Sequence, residues 1–332
     1  MSVDPRFLVL GSNSFSGASF CAFLSARGYP VLATSRSPEA HTAFLPYKWQ
    51  KNAAGIQFRL IDINRDLDAL DEIIRTERPT HVVNFAAQSM VAESWQNPDH
   101  WMTTNVASTV RLHERLRRLE HLERYVHVTT PEVYGSTEGW VTEDHPLNPS
   151  TPYAVSRAAA DMSLRTYFTQ YGFPVVSTRA ANVYGPGQRL YRIVPRTIAA
   201  AQTGNKLRLD GGGASVRCFI HIDDTAAATL KIALEGRLGE TYHISGTRPV
   251  TIRDLVKVIL ERMGKEFDAC VEIGPERQGK DSAYLLSSEK LRRKLGWTDE
   301  ISLEHGIDTT IAWAQRFRDV LPSLPMSYEH KP

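Results

Sequence analysis

The sequence predicts an α/β protein: a doubly wound parallel sheet with a smaller C-terminal lobe. Three observations predict it. Short apolar runs recur at 6–10, 30–33, 56–61, 81–85 and 125–128, and segments of helical pattern separate several of them. Strands alternating with helices imply βαβ units and a parallel sheet. The first run feeds directly into Gly11-Ser-Asn-Ser-Phe-Ser-Gly17 and then into a helical pattern. Beyond a sixth run, Val175 to Arg179, the stretch Ala-Ala-Asn-Val-Tyr-Gly-Pro-Gly-Gln-Arg is dense in glycine and proline, and the alternation stops.

The chain has 332 residues, enough for one large α/β domain and a smaller lobe. With 42% hydrophobic and 23% charged residues it reads as globular and soluble. The 39 basic and 37 acidic residues leave a net charge of +2, which gives no nucleic-acid or membrane footprint. Cys21, Cys218 and Cys270 are too scattered for a metal site or a disulfide framework, as suits a reducing compartment. No signal core precedes the first strand and no apolar run is long enough to span a bilayer, so a cytoplasmic location is expected.

Arg6 to Leu10 is the opening strand. Phe20, Phe23 and Leu24 fall at i, i+3 and i+4, one face of the following helix. A glycine turn between a strand and a helix is the context in which such a motif binds a dinucleotide, so the sheet is read as Rossmann-type. Gly11 allows the tight turn and Gly17 the close helix–strand packing. Phe15 and Ser16 complete the candidate contacts here. Ser14 replaces the usual middle glycine. Its side chain would crowd a pyrophosphate unless its hydroxyl bonds a phosphate oxygen. A plain strand–helix turn is the alternative.

The second strand, Pro30 to Ala33, ends in Thr-Ser-Arg-Ser. NAD sites place an acid here for the ribose hydroxyls, and none is present. Arg36, flanked by Ser35 and Ser37, suits a 2′-phosphate instead, so NADP is expected first and NAD second. An exposed loop arginine is the alternative. The third strand ends at Asp62-Ile63, a lid for the adenine. A helix over 66–78 stops before Pro79. The fourth strand ends at Phe85, and Ala86, Ala87, Gln88 and Ser89 follow it with small residues that let the backbone approach a cofactor. A long helix over 99–118 carries Thr104, a further candidate contact.

The fifth strand, Tyr125 to Val128, runs into Thr129-Thr130-Pro131-Glu132. Thr129, Thr130 and Glu132 therefore sit just past its carboxyl end, where open parallel sheets bind ligands. Downstream, Tyr153 and Arg157 are four apart and share one helical face. Ser150 or Thr151 caps that helix, with Pro152 at its first position. A hydroxyl, a carboxylate, a phenol and a permanent cation thus converge on one crevice. The plain alternative is a strand, a polar loop and an ordinary capped helix.

The later chain reads as a helix near 193–203, strands at 207–210 and 241–244, a helix over 251–264 and a basic helix near 288–295. Arg217 enters a strand behind a glycine-rich turn, and Glu276 to Asp281 form a polar loop with two cations. Residues 1–182, with about 204–239, are assigned to a dinucleotide-binding domain. Residues 183–203 and 240–330 are assigned to a substrate-binding lobe. No linker separates the two, so they share one interface.

These residues resemble the extended short-chain dehydrogenase/reductase family, and within it the nucleotide-sugar 4,6-dehydratases, from Gly11 to about Trp297. Residues 84–94 and 153–161 look most like the GDP-mannose branch. Arg-Cys-Phe-Ile-His-Ile-Asp-Asp and Arg-Gln-Gly-Lys-Asp look more like the dTDP-glucose branch. The resemblance implies roles. Tyr153 would take the sugar 4-hydroxyl proton as C4 is oxidised by the nicotinamide, with Thr130 bonded to the same oxygen. Glu132 would remove the C5 proton, water would leave from C6, and the hydride would return to C6. Asn182, Arg217 and Arg277 match positions that hold the nucleotide diphosphate, and Ser89 is a further substrate-binding candidate. The resemblance also implies a homodimer built on the helices at 99–118 and 153–170, and no metal.

Three residues depart from the family pattern. Arg157 stands where the family has lysine, keeping the charge in a bulkier, planar form. Pro131 stands where the dTDP-glucose branch has an acidic aspartate, so Glu132 would have to handle both protons. Ser14 is the third. The competing readings are a 4-epimerase, a 4-keto reductase or a decarboxylase on the same fold, or a cofactor-binding sensor without catalysis. The epimerase and reductase need no carboxylate at position 132.

Overall fold

The structure, a computed structural model, describes residues 5–49, 55–275 and 285–331. Among these, five strands open the main sheet: β1 (Phe7–Leu10), β2 (Val31–Ser35), β3 (Ile56–Leu60), β4 (His81–Asn84) and β5 (Arg124–Thr129). Val175–Ala180 and Thr241–Ile244 complete a seven-stranded sheet. Its order is β3, β2, β1, β4, β5, then those two strands, and every pairing is parallel. The strand order reverses between β1 and β4, so a crevice opens beyond their carboxyl ends.

Each strand sends alternate side chains to opposite faces, and the core divides accordingly. Phe7, Val9, Ala33, Val83 and Val126 pack against the helices Phe15–Ser25 and Ile222–Glu235. Leu8, Leu10, Val82 and Tyr125 pack on the other face against Leu67–Glu77, Thr109–Leu116 and Pro152–Tyr171. A third cluster ties Ile193–Thr203, Ile252–Arg262 and Leu303–Arg316 into the lobe.

Three expectations are corrected. Thr241–Ile244, assigned to the lobe, is the edge strand of the main sheet, in register with Ser177–Ala180. Leu207–Asp210, assigned to the dinucleotide part, pairs with Val271–Gly274, and its leucines pack on Val256 and Leu260. Both strands are placed by partners more than 60 residues away, which local pattern does not reveal. The helix over 99–118 is interrupted: Pro98–Met102 is α-helical, Thr103–Ser108 is a π-helical stretch, and Thr109–Leu116 is α-helical again. Such stretches recur at functional sites.

Candidate active site

The Gly11–Gly17 turn is built by close backbone approach. Gly11 has φ +81°, and a Cβ there would lie 2.6 Å from the Ala86 nitrogen. A Cβ on Gly17 would lie 2.4 Å from the Gly11 carbonyl oxygen. Ser14 has a use that the sequence did not suggest. Its hydroxyl donates to the Gly11 carbonyl (2.7 Å) and accepts from the Gly17 N–H (3.0 Å), so it caps the helix. The first N–H groups of that helix, at Phe15 and Ser16, have no intrahelical acceptor and suit an anion. Asn13, not singled out in the sequence, donates from Nδ2 to the Ser37 and Pro38 carbonyls at 2.8 Å each. It fastens the glycine turn to the loop that carries Ser35, Arg36 and Ser37.

Asp62 caps its own turn by accepting from Asn64 N–H at 2.9 Å. Ile63 is buried in the core beside Leu67 rather than presented as an exposed lid. Asn64 reaches Thr104 at 3.1 Å. Phe85 packs on Phe20, and Asn84 Oδ1 accepts from Ala86 N–H at 2.9 Å. Buried Asn105, on the π-helical stretch, accepts from Gln88 N–H (2.8 Å) and donates to the Gln88 carbonyl and the Ser156 hydroxyl, both at 2.9 Å. One amide thereby sets the loop of Ala86, Ala87, Gln88 and exposed Ser89 against the Tyr153 helix. No short motif marks Asn105. The Lys331 carbonyl accepts from both Gln88 Nε2 (2.6 Å) and Arg36 (3.1 Å), so the C-terminal segment crosses this crevice, with His330 stacked on Trp101.

Thr130 and Glu132 lie at the end of β5 on the one-turn helix Pro131–Tyr134. Thr130 is its N-cap and accepts from Glu132 N–H at 3.3 Å. Thr151, not Ser150, caps the following helix, accepting from Ala154 N–H at 3.1 Å. Tyr153 and Arg157 face the sheet from that helix and are 8% and 2% exposed. The Arg157 guanidinium donates to the Val128 carbonyl. Burial pushes the Tyr153 phenol up. The Arg157 charge and a hydrogen bond with Thr130 pull it down, and the Glu132 charge opposes them. So Thr130, Glu132, Tyr153 and Arg157 meet in one crevice. Arg192, also within reach of the Tyr153 charge, was not anticipated.

Asn182 and Arg217 lie on adjacent strands of a small sheet formed by Asn182–Tyr184, Val216–His221 and Pro249–Thr251. Asn182 pairs with Phe219, which places it on the same face as Arg217 two residues earlier. Arg277 lies outside the described residues.

The family model described as GDP-mannose 4,6 dehydratase matches residues 8–310. The chain belongs to that family, the nucleotide-sugar 4,6-dehydratases among the extended short-chain dehydrogenases/reductases, and it is an enzyme of the lyase class. A dTDP-glucose 4,6-dehydratase of Xanthomonas campestris pv. campestris is 31% identical over 325 residues, 92% of each chain. A trifunctional UDP-glucose 4,6-dehydratase of Arabidopsis thaliana is 32% identical over 256 residues; these cover 76% of this chain but only 38% of that longer protein. The crystal structure of DesIV, a dTDP-glucose 4,6-dehydratase from Streptomyces venezuelae with NAD bound, superposes with a TM-score of 0.87 at 32% identity, covering 95% of this chain and 98% of that one. Among the described residues, no helix is long and apolar enough to cross a membrane.

Proposed function

We propose that the chain converts a nucleoside-diphosphate hexose into its 4-keto-6-deoxy derivative, with loss of water across C5 and C6. The observation that carries this reading is Glu132 on the same turn as Thr130, close enough for its charge to act on Tyr153. A 4-epimerase or reductase requires the Thr130–Tyr153 pair but leaves that carboxylate without a role.

A nicotinamide dinucleotide fits the crevice. The turn from Gly11 to Gly17 offers N–H groups to the pyrophosphate, and the buried Arg157 Nε, which makes no hydrogen bond, suits a ribose hydroxyl. When bound, that cofactor supplies reversible two-electron chemistry at C4 and C6. The protein supplies the protons. Tyr153 takes the proton of the 4-hydroxyl, and Arg157 and Thr130 stabilise its phenolate. Glu132 takes the C5 proton made acidic by the 4-keto group and returns a proton to the departing C6 hydroxyl, a role Pro131 has no group to share. Ser89, Asn182 and Arg217 hold the nucleotide sugar, and Arg217 suits its diphosphate.

Arg36 favours NADP, whereas the DesIV structure carries NAD. Val155 and Met162, exposed seven residues apart on the Tyr153 helix, suit a homodimer contact, which light scattering at micromolar concentration tests. Incubation with a panel of nucleotide sugars, read by mass spectrometry, should give one product lighter by one water. A product of unchanged mass would assign the chain to the epimerases.

A further inference from the structure

The one-turn helix that carries Glu132 ends in Tyr134, and Tyr134 is fully buried. Its phenol oxygen accepts from the Arg179 guanidinium and lies 2.7 Å from His243 Nε2. The directions follow from one partner. His243 Nδ1 lies 3.2 Å from the Ser287 carbonyl, which only accepts, so Nδ1 carries the ring proton. Nε2 must then accept from the Tyr134 hydroxyl, and the Tyr134 lone pair is left for Arg179. Arg179 also lies over the Tyr134 ring, 4.7 Å from its centroid. Its other arm donates to Asp161 at 2.8 Å. Asp161 lies on the Pro152–Tyr171 helix, eight residues after Tyr153 and four after Arg157, so all three share one face. The far oxygen of Asp161 makes a longer contact, 3.4 Å, with His127 of β5.

These contacts close a ring. Thr130 and Glu132 lead through Tyr134 to Arg179, then to Asp161, then along the helix to Arg157 and Tyr153, which faces Thr130 again. Apart from the half-buried Glu132, the side chains of the ring are buried, so a charge removed from among them leaves its partner desolvated and unpaired. Burial works against ionisation of Asp161, yet the His127 contact and the Arg179 charge hold its carboxyl at about 2. Burial, then the Arg179 charge, hold His243 at about 3, in keeping with the neutral tautomer.

We infer that Arg179 and Tyr134 are positioning residues that fix the Glu132 carboxylate relative to Tyr153, and so govern proton removal at C5 rather than oxidation at C4. The inference rests on the role of Glu132 proposed above. It predicts a selective defect. Tyr134→Phe keeps the buried ring and removes only the two hydrogen bonds at its oxygen. Its kcat should fall by about 10- to 100-fold with KM little changed, because misplacement of a catalytic group by about 1 Å costs on that order. The primary isotope effect with C5-deuterated substrate should rise above the wild-type value as that step becomes limiting. Arg179→Lys should retain more activity than Arg179→Met. Wild-type kcat and isotope effect in Tyr134→Phe would overturn the inference, as would a kcat loss with the isotope effect unchanged, which marks a purely structural role. Glu132→Gln, assayed in parallel, separates the two readings. If it is slow while Tyr134→Phe is normal, positioning alone fails. If Glu132→Gln itself is normal, the dehydratase assignment of Glu132 fails.

Discussion

Two turns at the carboxyl edge of the sheet invite comparison: Gly11–Gly17 after β1, and Thr130–Tyr134 after β5. Both begin with a hydroxyl that caps a helical segment, Ser14 in one and Thr130 in the other. The first is capped by partners three residues apart, Ser14 with Gly11 and Gly17. The second is held at its far end by Arg179 and His243, 45 and 109 residues from Tyr134. The helix cap of a turn that presents backbone N–H groups to a phosphate is specified by its own few residues, although Asn13 also ties that turn to the Ser37 and Pro38 carbonyls. A turn that must aim one carboxylate at a sugar carbon borrows rigidity from the surrounding core.

The comparison predicts which changes act where. The largest effect belongs to Glu132→Gln, which keeps the shape of the second turn and removes its base. Turnover should fall about 100- to 10,000-fold, while oxidation at C4 persists. Absorbance of the reduced nicotinamide band should then build up on mixing with substrate. Tyr153→Phe should show no such band.

The two turns should also differ in acid. The anchor of the second turn, His243, has its folded value lowered to about 3 from an ordinary 6.5. Above pH about 6.5 it is neutral in both folded and unfolded chains; below that the unfolded chain takes the proton first, so stability is lost as pH falls toward about 3, by about 1.4 kcal/mol per unit. Asp161, depressed to about 2, adds its loss only below about pH 4. Urea midpoints at pH 7.5, 6.0 and 5.0 should fall in that order, and His243→Gln should flatten the decline. A midpoint independent of pH over that range would count against the neutral His243.

Smaller effects sharpen the first turn. Arg36→Ala removes a charge-assisted contact and should weaken NADP by about 10- to 100-fold, with little effect on NAD, measured by titration. Tighter binding of NAD than NADP by the wild type would remove the 2′-phosphate reading. Gly11→Ala forces a Cβ into the Ala86 backbone at positive φ and should destabilise by about 1–3 kcal/mol, read from the same urea midpoints. Ser14→Ala should cost about 1 kcal/mol and Ser14→Gly only a few tenths. Equal losses in Ser14→Ala and Ser14→Gly would show that the hydroxyl is not the cap.

The sequence by itself determined the alternation of strands and helices, the glycine turn, and the four residues Thr130, Glu132, Tyr153 and Arg157. Those features are local: period, turn chemistry and spacing along one helix are written in neighbouring residues. It did not determine that Thr241–Ile244 closes the main sheet, that Leu207–Asp210 belongs to the lobe, or that Ser14 caps its helix. Nor did it mark Asn105, on the π-helical stretch, or Asp161, Arg179 and His243, polar residues within an otherwise ordinary helix or strand. Their meaning arises only when distant strands lie side by side and water is excluded. There a polar group must find its partner within the core, and that partner is set by the tertiary fold.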